Sequence, residues 1–342
     1  MTLSKPLFSV IIPVYNRPQE VDELLESLCM QTLQNFETII IEDGSAVKCD
    51  EICKKYPQLN LLYYYKENGG PAQARNYGAQ KASGEWIVFF DSDCIIPPHY
   101  FQNASQQVGE GGFSLFGGPD RSHPSFTTLQ KAIDYSMTSM ITTGGIRGNK
   151  KSADKFYPRT FNMGIRKVVF EETGGFSNMR FGEDVDFSYK VKEGGYESRL
   201  FTEGWVYHKR RNTFRTFFKQ VFNSGIARIH LTKRHPGTLK LVHLLPSAFT
   251  VGTIVLVIMA LAAGLLMGWE AAFICLSPLV LLSAIILMDS TIRKGSLITG
   301  LCSICTSFVQ LTGYGSGLLI GWWNICVLGK GNYAAFVKNF YK

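Results

Sequence analysis

Between Leu241 and Trp269 the chain runs for 29 residues without an Asp, Glu, Lys or Arg, and no other feature restricts its fold as strongly. A helix needs only about 20 apolar residues to cross the hydrocarbon of a bilayer, so this stretch is expected to span one. Ala271–Met288 is a second uncharged stretch, separated from the first at Glu270, and Ser296–Gly329 is a third. The third is long for one span and short for two, and a re-entrant or interfacial arrangement would suit its Gly and Trp content. The tail from 241 to 342 is therefore read as a helical membrane region.

Charge divides the rest. The chain's formal net charge is +8, but residues 1–208 hold 21 Lys+Arg against 25 Asp+Glu, whereas residues 209–240 hold nine Lys+Arg and no acid. A basic surface for nucleic acid would spread over the folded domain. Here the positive charge is confined to the approach to an apolar segment, where basic residues favour the anionic cytoplasmic leaflet. The expected partners are a membrane and no nucleic acid, with 209–240 forming basic juxtamembrane or interfacial helices. Arg293-Lys294 on the same side and Gly268-Trp269-Glu270 on the other make a consistent hairpin. Lys330, Lys338 and Lys342 would also favour the inside. The eight cysteines form no framework, and Cys302-x-x-Cys305 has no second pair, so free thiols are expected. Phe8–Tyr15, interrupted by Pro13, is too short for a signal-peptide core and suits a buried strand. The expected location is an inner or plasma membrane, multi-pass, with residues 1–208 as a cytoplasmic domain.

Within those 208 residues, Phe8–Val14, Glu37–Glu42, Leu61–Tyr65 and Trp86–Phe90 read as strands. Val21–Gln31, Asp50–Lys55 and Gln73–Ala82 between them carry helical spacing. Alternation of this kind predicts a mostly parallel sheet with covered faces, whose ligands sit beyond the carboxyl ends of the strands. Tyr15-Asn16-Arg17, Glu42-Asp43-Gly44-Ser45 and Asp91-Ser92-Asp93 follow three of the strands and would share one rim. A further helix is expected at Thr127–Thr142, a mobile loop over Gly144–Lys151, and a helix from Gly182-Glu183-Asp184-Val185-Asp186 to about Glu193.

Each cluster has a plain reading beside its chemical one. Asp91 and Asp93 after an apolar strand can reach one hard cation, Mg²⁺ or Mn²⁺, although Asp-Ser-Asp is also ordinary turn composition. An acid at 42 or 43 can accept from a base or ribose, or cap a helix. Arg75, early in a helix after Gly69-Gly70, can reach a diphosphate or stay solvated. The acids at 183–186 suit a helix start, and equally a general base. His208 is a structural histidine or a third metal ligand.

Taken together, Ser9–Asn16, Glu42–Ser45, Gly70–Asn76, Asp91–Asp93, Gly174-Gly-Phe176, Gly182–Asp184 and Val206-Tyr-His208 resemble, in order, the signatures of the family 2 inverting glycosyltransferases. The resemblance implies an α/β fold of GT-A type and a nucleotide-diphosphate sugar donor. It places Pro13 and Tyr15 at the nucleoside, Asp43 at the base, and Arg17 and Arg75 near the diphosphate. Asp93, Asp91 and His208 would hold the divalent metal, with Asp91 also on the donor side. Asp184 would be the catalytic base, flanked by Glu183. Glu42 departs from the usual Asp-Asp-Gly-Ser. Gln220 is followed by Val-Phe-Asn-Ser instead of the Gln-x-x-Arg-Trp of processive members, which implies one transfer per encounter. The anchor is similar to those of enzymes that act on lipid carriers, so the acceptor expected is a lipid-linked saccharide or a polyprenyl phosphate, in glycan or polysaccharide biosynthesis. The competing readings are a nucleotidyltransferase, disfavoured by the lack of a lysine-bearing glycine loop, and a tethered nucleotide-sugar-binding module, which would need no base.

Overall fold

The computed structural model describes residues 5–143, 157–331 and 333. The Gly144–Lys151 loop lies outside them. The chain divides into two compact units, one of residues 5–123 and 157–209, the other of 124–143 and 210–331 of the described chain.

The first unit is built on strands β1 (Phe8–Val14), β2 (Phe36–Asp43), β3 (Leu61–Lys66) and β4 (Trp86–Phe89), all parallel and all where the sequence predicts them. Helices α1 (Pro18–Cys29), α2 (Asp50–Cys53) and α3 (Pro71–Lys81) connect them. Then come β5 (Cys94–Ile95), α4 (Tyr100–Glu110), β6 (Leu115–Gly117) and β7 (Asp120–Arg121). After the second unit's α5 (Thr128–Thr138) and α6 (Met140–Thr143), the first unit resumes. A 3-10 turn at Thr160–Asn162 leads to β8 (Met163–Arg166), α7 (Lys167–Glu172), α8 (Glu183–Glu193), β9 (Ser198–Leu200) and β10 (Val206–His208). The seven-stranded sheet has the order β3-β2-β1-β4-β8-β6-β9, and β8 is antiparallel to both neighbours. A small second sheet has the order β5-β10-β7.

Both faces of the large sheet are covered, which is why its central strands read as unbroken apolar runs. Val10 and Ile12 of β1 point into a core with Leu24 and Leu28 of α1 and Phe101 of α4. Ile11 points the other way, into a core with Ala74 of α3 and Phe170 and Phe187 of α7 and α8. All are nearly or fully inaccessible, and each large apolar side chain so buried contributes roughly 1.5–3 kcal/mol.

In the second unit, α9 (Phe214–Arg234) is followed by α10 (Leu241–Met267), α11 (Trp269–Lys294) and α12 (Leu297–Trp322), which ends in a π-helical turn. The last three are long and apolar enough to cross a membrane. Leu265 and Leu266 are more than 80% exposed, as suits a hydrocarbon solvent. Two expectations are corrected here. The break between the first two helices falls at Gly268, whose φ of 96° favours glycine, and Glu270 sits inside the first turn of α11. The single helix expected at Thr127–Thr142 is interrupted at Ser139, which takes an extended ψ of 139°. Glycine lets α12 approach α9 closely: a Cβ on Gly317 would lie 2.0 Å from the Phe222 carbonyl oxygen. Asp134 of α5 is buried between Arg210, at 2.9 Å, and Lys294 of α11, at 2.7 Å.

Candidate active site

The parallel register puts the ends of β1, β2 and β4 on one edge, so the polar clusters that follow them come together. At the end of β2, Glu42 is fully buried and its carboxylate accepts from Ser45 Oγ, from the Cys49 amide at 2.8 Å and from Tyr63 at 3.3 Å. Glu42 therefore closes the turn, for which the longer side chain suffices in place of aspartate. Asp43 takes hydrogen bonds from the amides of Gly69 (2.9 Å) and Gly70 (2.8 Å) and from Lys66 Nζ (2.6 Å). It organises the glycine turn ahead of α3, and Gly44, at φ 73°, makes room for Asn68 beside it. Pro13 and Tyr15 are half-buried on the same edge, at the end of β1.

Beyond β4 stand the two aspartates. Asp93 receives Arg17 Nη1 at 2.7 Å on one oxygen, and its other oxygen lies 3.2 Å from His208 Nε2. Asp91 receives Arg75 Nη2 at 2.7 Å and lies 4.0 Å from His208. His208 is brought there because β10 pairs antiparallel with β5, His208 opposite Cys94. Its ring stacks on Phe161 at 4.8 Å, and Asp120 of β7 lies 3.9 Å from its Nδ1.

These residues fit a divalent cation. Two ligands at about 2.1 Å on adjacent corners of an octahedron stand about 3 Å apart, close to the Asp93–His208 separation of 3.2 Å. Asp93, Cys94 and His208 together have ligand atoms within 4.8 Å of one another. The carboxylates suit Mg²⁺ or Mn²⁺, and an imidazole beside them favours the transition metal of the two. The Cys94 thiol suits neither, because burial holds its pKa well up and keeps it neutral. Of the three ligands expected from the sequence, Asp93 and His208 are poised directly, while Asp91 is shared with Arg75.

The base candidates lie at the start of α8. Arg75, almost wholly buried, reaches from Asp91 to Glu183 Oε1 at 3.0 Å and so bridges the metal side to the base side. It is neither solvated nor open to a diphosphate in this arrangement. Asp184 is held by Arg159 at 3.2 Å and accepts the Val185 amide at 2.8 Å. Crowded carboxylates raise one another's pKa. The raised group is Glu183, pushed up to about 7, and burial is the main cause; Arg75 opposes the shift and Asp184 adds to it. The residues around the candidate site that sequence reasoning missed are Arg159, Phe161, Asp120 and Lys66, none of which belongs to a recognisable motif.

Glu183 makes stability pH-dependent. Its folded pKa is raised, so its favourable contribution is complete below the ordinary carboxyl value and is lost as pH rises through about 7. From 4.5 to about 7 the change amounts to about 3 kcal/mol. Thermal melting is expected to fall more steeply from pH 5 to pH 8 in the wild type than in Glu183→Gln. Equal slopes would exclude this origin.

Comparison with known proteins agrees with the geometry. The model of the family described as "Glycosyl transferase family 2" matches residues 9–174. An uncharacterised glycosyltransferase of Rickettsia felis is 50% identical over 208 residues, 56% of this chain and 32% of its own length. Glycosyltransferase AglE of Haloferax volcanii is 28% identical over 239 residues, 68% of this chain and 76% of its own. The chain thus spans less than a third of the Rickettsia felis relative and of a second one, from Rickettsia bellii. Among solved structures, the Pyrobaculum calidifontis mannosyltransferase PcManGT, in complex with GDP-Man and Mn²⁺, has a TM-score of 0.66 at 16% identity, covering 94% of this chain and 88% of that one. Its likeness extends the fold agreement well beyond the family match. Residues 9–174 carry the match to glycosyl transferase family 2, the fold around them is of GT-A type, and three apolar helices follow.

Proposed function

We propose that this protein transfers one sugar from a nucleotide-diphosphate sugar to a lipid-linked saccharide or a polyprenyl phosphate at the cytoplasmic face of a membrane, with inversion and without processive extension. The observation that carries the proposal is the convergence, on one sheet edge, of Asp93 and His208 as a cation site and of Asp184 as a base, joined through Asp91, Arg75 and Glu183. PcManGT binds GDP-Man and Mn²⁺ on the same fold, which supports a metal and a donor of this class here.

In the proposed reaction the acceptor oxygen attacks the anomeric carbon from the face opposite the nucleotide. An oxygen–carbon bond forms, the bond to the diphosphate breaks, and where the acceptor is a sugar hydroxyl its proton passes to an oxygen of Asp184. A divalent cation held by Asp93 and His208, with Asp91 beside them, would neutralise charge on the departing diphosphate. Arg159 orients Asp184, and its release of that carboxylate as acceptor enters would leave the base free to take the proton. The basic stretch 209–240 and Arg293-Lys294 favour the anionic cytoplasmic leaflet, bringing a lipid-linked acceptor within reach.

The test is donor turnover. Purified protein in detergent is given UDP- and GDP-sugars with Mn²⁺ or Mg²⁺, and release of UDP or GDP is followed with and without a chelator. Metal-dependent release from one nucleotide class is the expected result. Failure to turn over or bind any donor, with metal present, would remove the assignment.

A further inference from the structure

We propose that Arg17 keeps the cation site of Asp93 and His208 in a closed, self-neutralised state, and that a nucleoside diphosphate opens it by taking Arg17 for itself. Metal and nucleotide would then assist each other's binding, the metal alone binding weakly. The inference rests on the metal-and-donor reading above, which it deepens by giving the order in which that site fills.

Two arginines serve the two aspartates, and they differ. Arg75 is 4% exposed at its side chain and is held by both Asp91 and Glu183, so it is fixed in place. Arg17 has a side chain 29% exposed and meets Asp93 at 2.7 Å. The Asp93 oxygen that Arg17 holds is the one turned away from His208; the other faces the histidine at 3.2 Å. A divalent cation at Asp93 and His208 would stand close to the guanidinium, and the two positive charges repel. Lys209 donates its amide to the Asp93 carbonyl, but its ammonium is committed to Glu23 of α1 at 2.6 Å.

The backbone at Arg17 does not need to move for the exchange. Asn16, at φ 53°, is tied to the next turn by its own amide on Ser45 Oγ (2.7 Å) and by its Oδ1, which accepts from Ala46 (2.8 Å) and Val47 (3.0 Å). Arg17 therefore projects from a fixed point, and rotation of its long side chain suffices. A diphosphate supplies the carrier for that rotation, since guanidinium pairs with phosphate oxygens in a two-pronged fork. The same diphosphate oxygens complete the shell of a Mg²⁺ or Mn²⁺ ion that has few protein ligands.

The experiment measures metal binding, with no turnover involved. Full-length protein in detergent is titrated with Mn²⁺ alone, with UDP and with GDP, and free Mn²⁺ is read by electron paramagnetic resonance. The wild type should bind Mn²⁺ weakly alone, and its affinity should rise roughly fivefold or more with the matching nucleotide. In Arg17→Met, Mn²⁺ alone should bind more tightly than in the wild type, and the gain from nucleotide should shrink. Arg17→Lys, which keeps the charge, should return metal-alone binding toward the wild type, and melting curves check that each variant is folded. Should Arg17→Met fail to fold, Arg17→Gln carries the same expectation. Metal-alone affinity unchanged or weakened in the neutral variant overturns the exchange while leaving the metal site standing. Absence of Mn²⁺ binding in every protein, with and without nucleotide, overturns the cation site itself and the exchange with it.

Discussion

Asp184→Asn is expected to lower turnover by about 10²- to 10⁴-fold, the range that general-base catalysis supplies, with donor and metal affinity unchanged. The substitution is nearly isosteric. An asparagine oxygen can still accept from the Val185 amide and, at the longer contact of 3.5 Å, from Arg159, so the start of α8 keeps its shape. What is lost is the ability to take a proton from the acceptor. Glu183 cannot substitute: it is 8% exposed and its carboxylate is bonded to Arg75. The size of the loss also identifies the acceptor. A sugar hydroxyl must surrender its proton as it attacks, whereas a polyprenyl phosphate arrives ionised. Donor turnover with a hydroxyl acceptor, with binding followed in parallel, checks the expectation. A decrease of threefold or less with that acceptor would remove Asp184 as base, while a phosphate acceptor should show no such loss.

The parts of this site that could be read in the sequence are those in which local chain and chemistry coincide. β1, β2 and β4 are buried on both faces, so they appear as apolar runs, and the clusters ending them must fall on one edge because the strands are parallel. Asp91 and Asp93 could be named for that reason, whereas Glu183 and Asp184 stood out as acids at a helix start and His208 through the resemblance. Three-dimensional pairing hid the rest. Phe161 touches His208, and Arg159 reaches Asp184 across 25 residues, through a 3-10 turn that has no periodicity of its own. Strands of two or three residues such as β5, β7 and β9 carry too little pattern to be seen. The dual use of Arg75 was also invisible. An arginine early in a helix after Gly69-Gly70 suggests a phosphate, whereas burial makes it a bridge between two acids.

That bridge gives the second large effect. Arg75→Met should destabilise the first unit by about 3 kcal/mol, the lower end for breaking a buried charge pair, and should lower turnover as well. The loss stays at that end because Glu183 can protonate. Arg75 is the group that draws its pKa down, and once Arg75 is gone burial drives the carboxyl further up, so that it is neutral at pH 7. Asp91 behaves differently. Its side chain is 31% exposed, so it stays hydrated when released, and without Arg75 it is free to turn from His208. Stability and activity should therefore separate in a second variant. Adding Glu183→Gln to Arg75→Met should recover part of the melting temperature, because a neutral amide replaces the unpaired acid, yet should not restore turnover, because Asp91 remains unheld. A fall of roughly 6–12 °C in the single variant corresponds to the expected loss. Arg75→Lys should lie between, since one ammonium cannot fork between Asp91 at 2.7 Å and Glu183 at 3.0 Å. An unchanged melting temperature in Arg75→Met, or turnover restored along with stability in the double variant, would reduce Arg75 to a surface-like charge and detach the metal side of the site from the base side.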